Sequence, residues 1–344
     1  MNANWRQSLQ SGGALIEDSV VRNFGDPQGE LEAARSRSVL ADLSHLGVLD
    51  FIGEDSETFL QGQLSCDVRA LQAGSAGYGG YCTPKGRLLA DFLLWRVEGG
   101  FRMALSRGIL ASVQKRLKMY VLRSKIQISD ASEALVLLGI SGPAAPEALR
   151  ACDAEPPQRP NEVTHFGAND SVISLAGQRY MLAVPTERAP VLWASLGARL
   201  RPVGTPCWEW LDIHSGMPLI TVRTQEQFVP QMVNLELIGG VSFSKGCYPG
   251  QEIVARTHYL GKVKRRMFLA HLEADTAPAP GDEIYSDDIP GQTSGMVVNI
   301  QAAPGGGYDL LAVAQLSSRE SSAVRWQSPE GPVLRFLELP YEVA

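Results

Sequence analysis

From Arg266 to the C-terminus the chain breaks into short apolar pieces separated by Pro and Gly, as at Pro278 to Gly281, Pro290-Gly291 and Pro304 to Gly307. Pieces this short cannot build helices with a buried stripe. Their rhythm predicts a small all-β barrel. The residues before Arg266 read differently, mixing helical and strand periods. Ile109, Leu110, Val113, Leu117, Tyr120 and Val121 recur at helical spacing between Arg107 and Val121, with Lys115, Arg116 and Lys118 on the other face. Leu46, Val48, Asp50 and Ile52 alternate as in a strand. A chain of 344 residues is too long for one ordinary core. The expectation is an α+β protein of two or three domains.

Residues 1–36 read as a helical or irregular lead-in, with organised structure beginning near Leu46. Gly74 to Gly80 reads as a glycine-rich turn, and Pro84 and Gly86 mark a hairpin-type reversal. Leu88 to Val97 and Phe101 to Leu105 read as paired strands around Gly99-Gly100, and Ala134 to Ile140 as a short buried strand. Pro143 to Arg150 suits a helix with proline in its first turn. Cys152 to Asn161 reads as a loop or linker. Val172 to Val184 reads as two strands around Gly177, Thr186 to Leu196 as a helix with a threonine cap, and Thr205-Pro206 as the start of a helix ending at Gly216. These transitions divide the chain into regions 35–150, 151–265 and 266–344.

The net charge of −6 argues against a general nucleic-acid coat. No apolar run reaches the length that crosses a bilayer, and the N-terminus lacks a signal-peptide layout. The five cysteines (Cys66, Cys82, Cys152, Cys207 and Cys247) form no Cys-x-x-Cys pair, and the five histidines are scattered. That pattern predicts reduced thiols in the cytoplasm and no metal held by the protein alone.

Chemistry concentrates between Phe228 and Met267. Phe228-Val229-Pro230-Gln231 leads to the octapeptide Lys245-Gly246-Cys247-Tyr248-Pro249-Gly250-Gln251-Glu252, followed by the strand-like Ile253-Val254-Ala255-Arg256. Between Lys245 and Arg266, six Lys or Arg (Lys245, Arg256, Lys262, Lys264, Arg265, Arg266) face one acid, Glu252. The local charge is +5, so the rest of the chain carries −11. A cysteine between a glycine and a Pro-Gly turn sits on an accessible loop, and a setting rich in cations is where reactive thiols occur. The competing reading is an inert, buried cysteine, the commoner fate of a free thiol. A protease would need a histidine base; His258 is eleven positions away, and spacing does not join it to Cys247. The cations read either as a solvated face or as partners for an anion.

The octapeptide resembles the Lys-Gly-Cys-Tyr-x-Gly-Gln-Glu signature of the YgfZ family, and the flanks Phe228-x-Pro-Gln and Val254-Ala255-Arg256 agree. The earlier runs Asp42 to Gly47, Gly53-x-Asp55-Ser56, Phe59 to Gly62, Asp67-Val68 and Lys85-Gly86-Arg87 resemble the wider glycine-cleavage T-protein (aminomethyltransferase) superfamily. The resemblance implies a three-domain, cloverleaf-like aminomethyltransferase fold with a small C-terminal β-barrel. It also implies tetrahydrofolate or a related reduced folate as ligand. Cys247 is the reactive thiol it points to. Trp208, Leu46, Asp91, Lys245, Tyr248, Gln251, Glu252 and Arg256 are the residues it points to for folate. Trp208 falls at a pterin-region position, or is a core tryptophan of an amphipathic helix; Leu46 replaces an aromatic wall. Aminomethyltransferases carry paired aspartates after the Lys-Gly-x turn, whereas here the stretch is Leu88-Leu89-Ala90-Asp91. Losing one carboxylate argues against amine transfer. The implied role is support of iron–sulfur client enzymes, including those that thiolate tRNA, with no membrane partner and direct nucleic-acid contact disfavoured. A tetrahydrofolate-dependent one-carbon transferase is the alternative.

Overall fold

The computed structural model describes residues 1–343 except Ala168, Leu260 and Lys262. The chain forms two compact units. The first holds Met1–Ser56, Leu71–Gly77 and Leu93–Leu211, and the second Glu57–Ala70, Tyr78–Phe92 and Asp212–Ala344. Among the described residues no helix is long and apolar enough to cross a membrane.

The first unit is built on a six-stranded sheet in the order Val163–Thr164, Ser171–Leu175, Arg179–Pro185, Leu135–Ser141, Val39–Asp42, Arg201–Val203. Its pairs are antiparallel except the last. Leu40, Leu138, Ile140, Leu182 and Val184 share one core with Trp5 and Leu9 of helix Ala3–Ser11 and Trp193 of helix Ala189–Gly197. The lead-in is therefore part of the fold. Trp5 meets Trp193 edge-on at 5.5 Å, and its indole N–H donates to buried Asp42 at 2.7 Å. Trp5 lies 37 residues from Asp42 along the chain, outside the reach of any local pattern. A second sheet pairs Leu46–Ile52 with Gly100–Ser106 and Gln127–Asp130. Helix Arg107–Lys118 buries Ile109, Leu110, Val113 and Leu117, the stripe that periodicity predicts. Thr186 does not cap the helix that follows it. That helix starts at Ala189, and the Thr186 hydroxyl donates to the Glu133 carbonyl at 3.0 Å.

The glycine-rich stretch is strand Ala76–Cys82 and not a turn. A Cβ on Gly79 would stand 2.5 Å from the Phe92 ring and 2.7 Å from Cys66 Sγ. One on Gly80 would stand 2.7 Å from Leu88 and 2.9 Å from Leu235. The glycines admit neighbouring side chains rather than a reversal. The reversal comes at Thr83 to Arg87, where Thr83 N–H donates to the Arg87 carbonyl at 2.8 Å and Gly86 takes φ +71°.

The C-terminal sheet runs in the order Val324–Trp326, Glu283–Ser286, Thr293–Ala302, Tyr308–Gln315, Arg265–Leu272, Arg335–Leu337, all antiparallel. Phe268, Ala270, Val297, Leu310, Ala312 and Trp326 fill its core. The last stretch of chain reaches both edges. Leu334 N–H donates to the Val324 carbonyl at 2.8 Å, Trp326 N–H donates to the Pro332 carbonyl at 3.0 Å, and Arg335–Leu337 pairs with His271 to Leu269. The sheet thus curls into the barrel that the Pro/Gly rhythm predicts.

Candidate functional site

The octapeptide is held at two points with the thiol between them. The first is Lys245, which is 8% exposed. Its ammonium donates to the carbonyls of Gln61, Leu64 and Cys66 at 2.7, 2.6 and 2.9 Å. Those carbonyls lie at the end of helix Ser56–Gln61 and in the chain just after it, where acceptors are left without helical partners. Burial pulls the Lys245 pKa down to about 8, so the group stays charged at neutral pH. The Tyr248 ring packs beside it, 5.2 Å from the nitrogen, and burial pushes the phenol pKa up. Gln251 donates through Nε2 to the Lys245 carbonyl at 3.4 Å. All three side chains are turned to the protein's own chain, so the ammonium has no proton left to offer an anionic tail.

The second point is Gly250, whose φ is +84°. A Cβ there would lie 2.4 Å from the Thr83 carbonyl oxygen and 2.7 Å from Gly86 Cα. The end of the octapeptide therefore rests on the backbone of the Thr83–Arg87 turn. Helix Gln251–Tyr259 starts directly after it. The sequence reading of Ile253 to Arg256 as strand-like fails, because β propensity is a packing preference and only Val254 of this helix is buried.

Gly246 and Cys247 project between these anchors and are exposed. Burial pushes the Cys66, Cys82 and Cys207 thiols up to about 12, which makes them inert, and raises half-buried Cys152. Cys247 has no hydrogen-bond partner among the described residues. His258 stacks on Phe243 at 3.8 Å, with Tyr259 edge-on to both, so no base is poised against the thiol. Glu252 and Arg256 are exposed on the same helix.

The cationic cluster is smaller in space than in sequence. Lys245 points inward, and buried Arg266 pairs with Glu236 and donates to the Gln231 carbonyl at 2.9 Å. Lys262 lies outside the described residues. Arg256 and Lys264 remain exposed, and Arg265 is half-buried.

Asp91 is buried, with Ile220 N–H donating to its carboxylate at 2.6 Å. Burial raises its pKa to about 7, the Ile220 bond opposes the rise, and the Asp212 charge adds to it. The folded state therefore binds more protons than the unfolded state between about pH 4 and pH 7. The stability contributed by protonated Asp91 is full below pH 4 and is lost as pH rises through 7. Relative to Asp91→Asn, the wild type should lose up to about 4 kcal/mol across that window, measured by urea unfolding. Parallel pH profiles for the two proteins would refute the shift.

In the first unit, Trp208 of helix Thr205–His214 is 2% exposed. A Cβ on Gly139 would lie 2.5 Å from its ring, and the Arg179 guanidinium lies 4.8 Å from a ring centroid. The indole is packed as a core tryptophan. Leu46 is half-buried at the start of strand Leu46–Ile52. His45 precedes it. Both ring nitrogens of His45 are buried without a hydrogen-bond partner among the described residues. Burial lowers its pKa to about 4, leaving a neutral ring with one donor and one acceptor unmet. An unmet buried polar group costs about 1–3 kcal/mol. No sequence signal separates such a histidine from a satisfied one.

The GCVT N-terminal domain family matches residues 21–242. The chain is 33% identical over 320 residues to the "tRNA-modifying protein YgfZ" of Edwardsiella ictaluri, covering 92% of this chain and 96% of that one. It is 30% identical over 308 residues to the protein of the same name from Yersinia pseudotuberculosis, covering 89% and 93%. Among solved structures, the glycine cleavage system aminomethyltransferase T from Bartonella henselae matches with a TM-score of 0.81 over 99% of this chain and 98% of that one, at 16% identity. The fold is thus the aminomethyltransferase fold, and with a GCVT domain over most of its length and YgfZ relatives along nearly all of it, the chain belongs to the YgfZ family.

Proposed function

We propose that this chain is a folate-binding accessory protein for iron–sulfur enzymes that modify tRNA, acting in the cytoplasm and presenting Cys247 to its clients. The observation that carries the reading is the thiol loop: one exposed cysteine held between a buried ammonium and a glycine locked on a turn. Such rigidity suits presentation of a thiol to another molecule. Glu252 and Arg256, exposed on the adjoining helix, are the charged contacts beside it.

A reduced folate suits the chemistry of His45, whose neutral imidazole offers one donor and one acceptor to the heteroatoms of a pterin. Half-buried Leu46 supplies an apolar neighbour. Trp208 is 2% exposed and is not an open stacking wall. When bound, folate supplies a one-carbon carrier. The chain's own residues give little support to amine transfer. Ala90 has no charge, and Asp91, half-protonated at pH 7, is engaged by the Ile220 N–H.

Titration with tetrahydrofolate should show saturable binding to the wild type, and His45→Ala should weaken it about tenfold or more, the value of one buried hydrogen-bonding group. In cells lacking the protein, Cys247→Ser should fail to restore tRNA thiolation while still binding folate. Full restoration by the serine variant would remove the thiol from the function. Absence of folate binding by the wild type would remove the ligand.

A further inference from the structure

One cavity in the second unit is not accounted for by the thiol loop. It encloses about 340 Å³, within the size range of small-ligand sites. Two arginines line it, Arg87 from the end of the Thr83–Arg87 turn and Arg265 from the first residue of the barrel strand Arg265–Leu272. Phe228, Met232 and Met296 supply apolar wall, and Glu283 is the one acid on it.

The hydrogen bonds leave both guanidiniums short of acceptors. Arg87 donates through Nη1 to the Gln227 carbonyl at 2.6 Å, and Arg265 through Nη2 to the Thr293 carbonyl at 3.3 Å. Neither has a carboxylate partner among the described residues, although each offers five N–H donors. Glu283 makes no ion pair with either arginine among the described residues; its carboxylate accepts the Tyr285 hydroxyl at 2.8 Å and keeps its charge, so two cations face one anion across the cavity. Elsewhere in the same unit, buried Arg266 has its acid, Glu236. Two unpaired planar cations in a cavity of this volume, above thioether and phenyl groups, match an oxyanion carried on a small apolar body.

We propose that this cavity binds a small organic oxyanion, a carboxylate or phosphate monoester with a short apolar or aromatic group. Arg87 and Arg265 hold the anion through charge-assisted bonds. Phe228, Met232 and Met296 cover the apolar part, and Glu283 disfavours ligands of higher negative charge.

Titration calorimetry on the full-length protein with phenyl phosphate, benzoate and inorganic phosphate, at constant ionic strength, tests the assignment. Saturable one-site binding of phenyl phosphate or benzoate is expected, and which of the two binds tighter identifies the anion. Arg87→Gln and Arg265→Gln should each weaken it at least tenfold, with unfolding temperatures confirming that both variants fold. Glu283→Gln should tighten it. No saturable binding of any probe to millimolar concentration, or unchanged affinity in both arginine variants, would overturn the proposal. Inorganic phosphate binding as tightly as phenyl phosphate would overturn the assignment of an apolar body.

Discussion

Replacing Lys245 with methionine is expected to destabilise the protein by roughly 2–5 kcal/mol while leaving the shape of the buried stem nearly intact. The ammonium makes three short bonds to the Gln61, Leu64 and Cys66 carbonyls. Hydrogen bonds involving a charged group contribute about 1.5–3 kcal/mol each. Opposing them is the cost of holding the charge out of water. Burial shows that cost by pulling the ammonium's pKa from 10.5 down to about 8. The bonds win, because methionine removes the cost and the donors together and leaves three inward-facing acceptors with nothing to accept. Urea unfolding at pH 7 measures the difference. A loss below about 1 kcal/mol would show that water or a shifted backbone satisfies those carbonyls and that Lys245 is no anchor.

Gly250→Ala should cost about 3 kcal/mol or more, whereas Gly246→Ala, four residues earlier in the same loop, should stay within about 0.5 kcal/mol. At Gly250 two penalties combine. An L-residue at φ +84° carries strain of about 1–2 kcal/mol. The new methyl would also stand 2.4 Å from the Thr83 carbonyl oxygen, so two backbones would have to part. At Gly246 an added Cβ meets nothing within 4 Å. Glycine at 246 is therefore not required by space within the protein. Equal unfolding midpoints for the two variants would disprove the contact between Gly250 and the turn. The rate at which a thiol reagent modifies Cys247 gives a second readout, since only Gly250→Ala should alter how the thiol is presented.

Much of this was legible in the residues. Hairpins announced by Gly99-Gly100, Gly177 and Pro84-x-Gly86 formed where expected, because turn chemistry is local. The stripe of Ile109, Leu110, Val113 and Leu117 formed its helix for the same reason. The misread elements depend on distant partners. Ala76–Cys82 is a strand whose glycines leave space that Phe92, Cys66 and Leu235 fill. The direction of Lys245 is set by carbonyls 179 to 184 residues away, so a cation counted toward a surface charge became an internal brace. In the candidate site, an exposed Cys247 could be read from its glycine and Pro-Gly neighbours. The deprivation of His45 could not, because it is a property of what surrounds the ring and not of the ring's neighbours in sequence.

The segment from Pro332 to Leu337 bonds to Val324–Trp326 on one side and to Leu269–His271 on the other. An uncovered sheet edge is a template on which any extended chain can pair, including a second copy of the same protein. Here one short segment blocks both templates. The barrel is consequently protected against edge-to-edge aggregation only while Pro332 to Leu337 is docked, which makes that docking the step that ends its vulnerability to self-association.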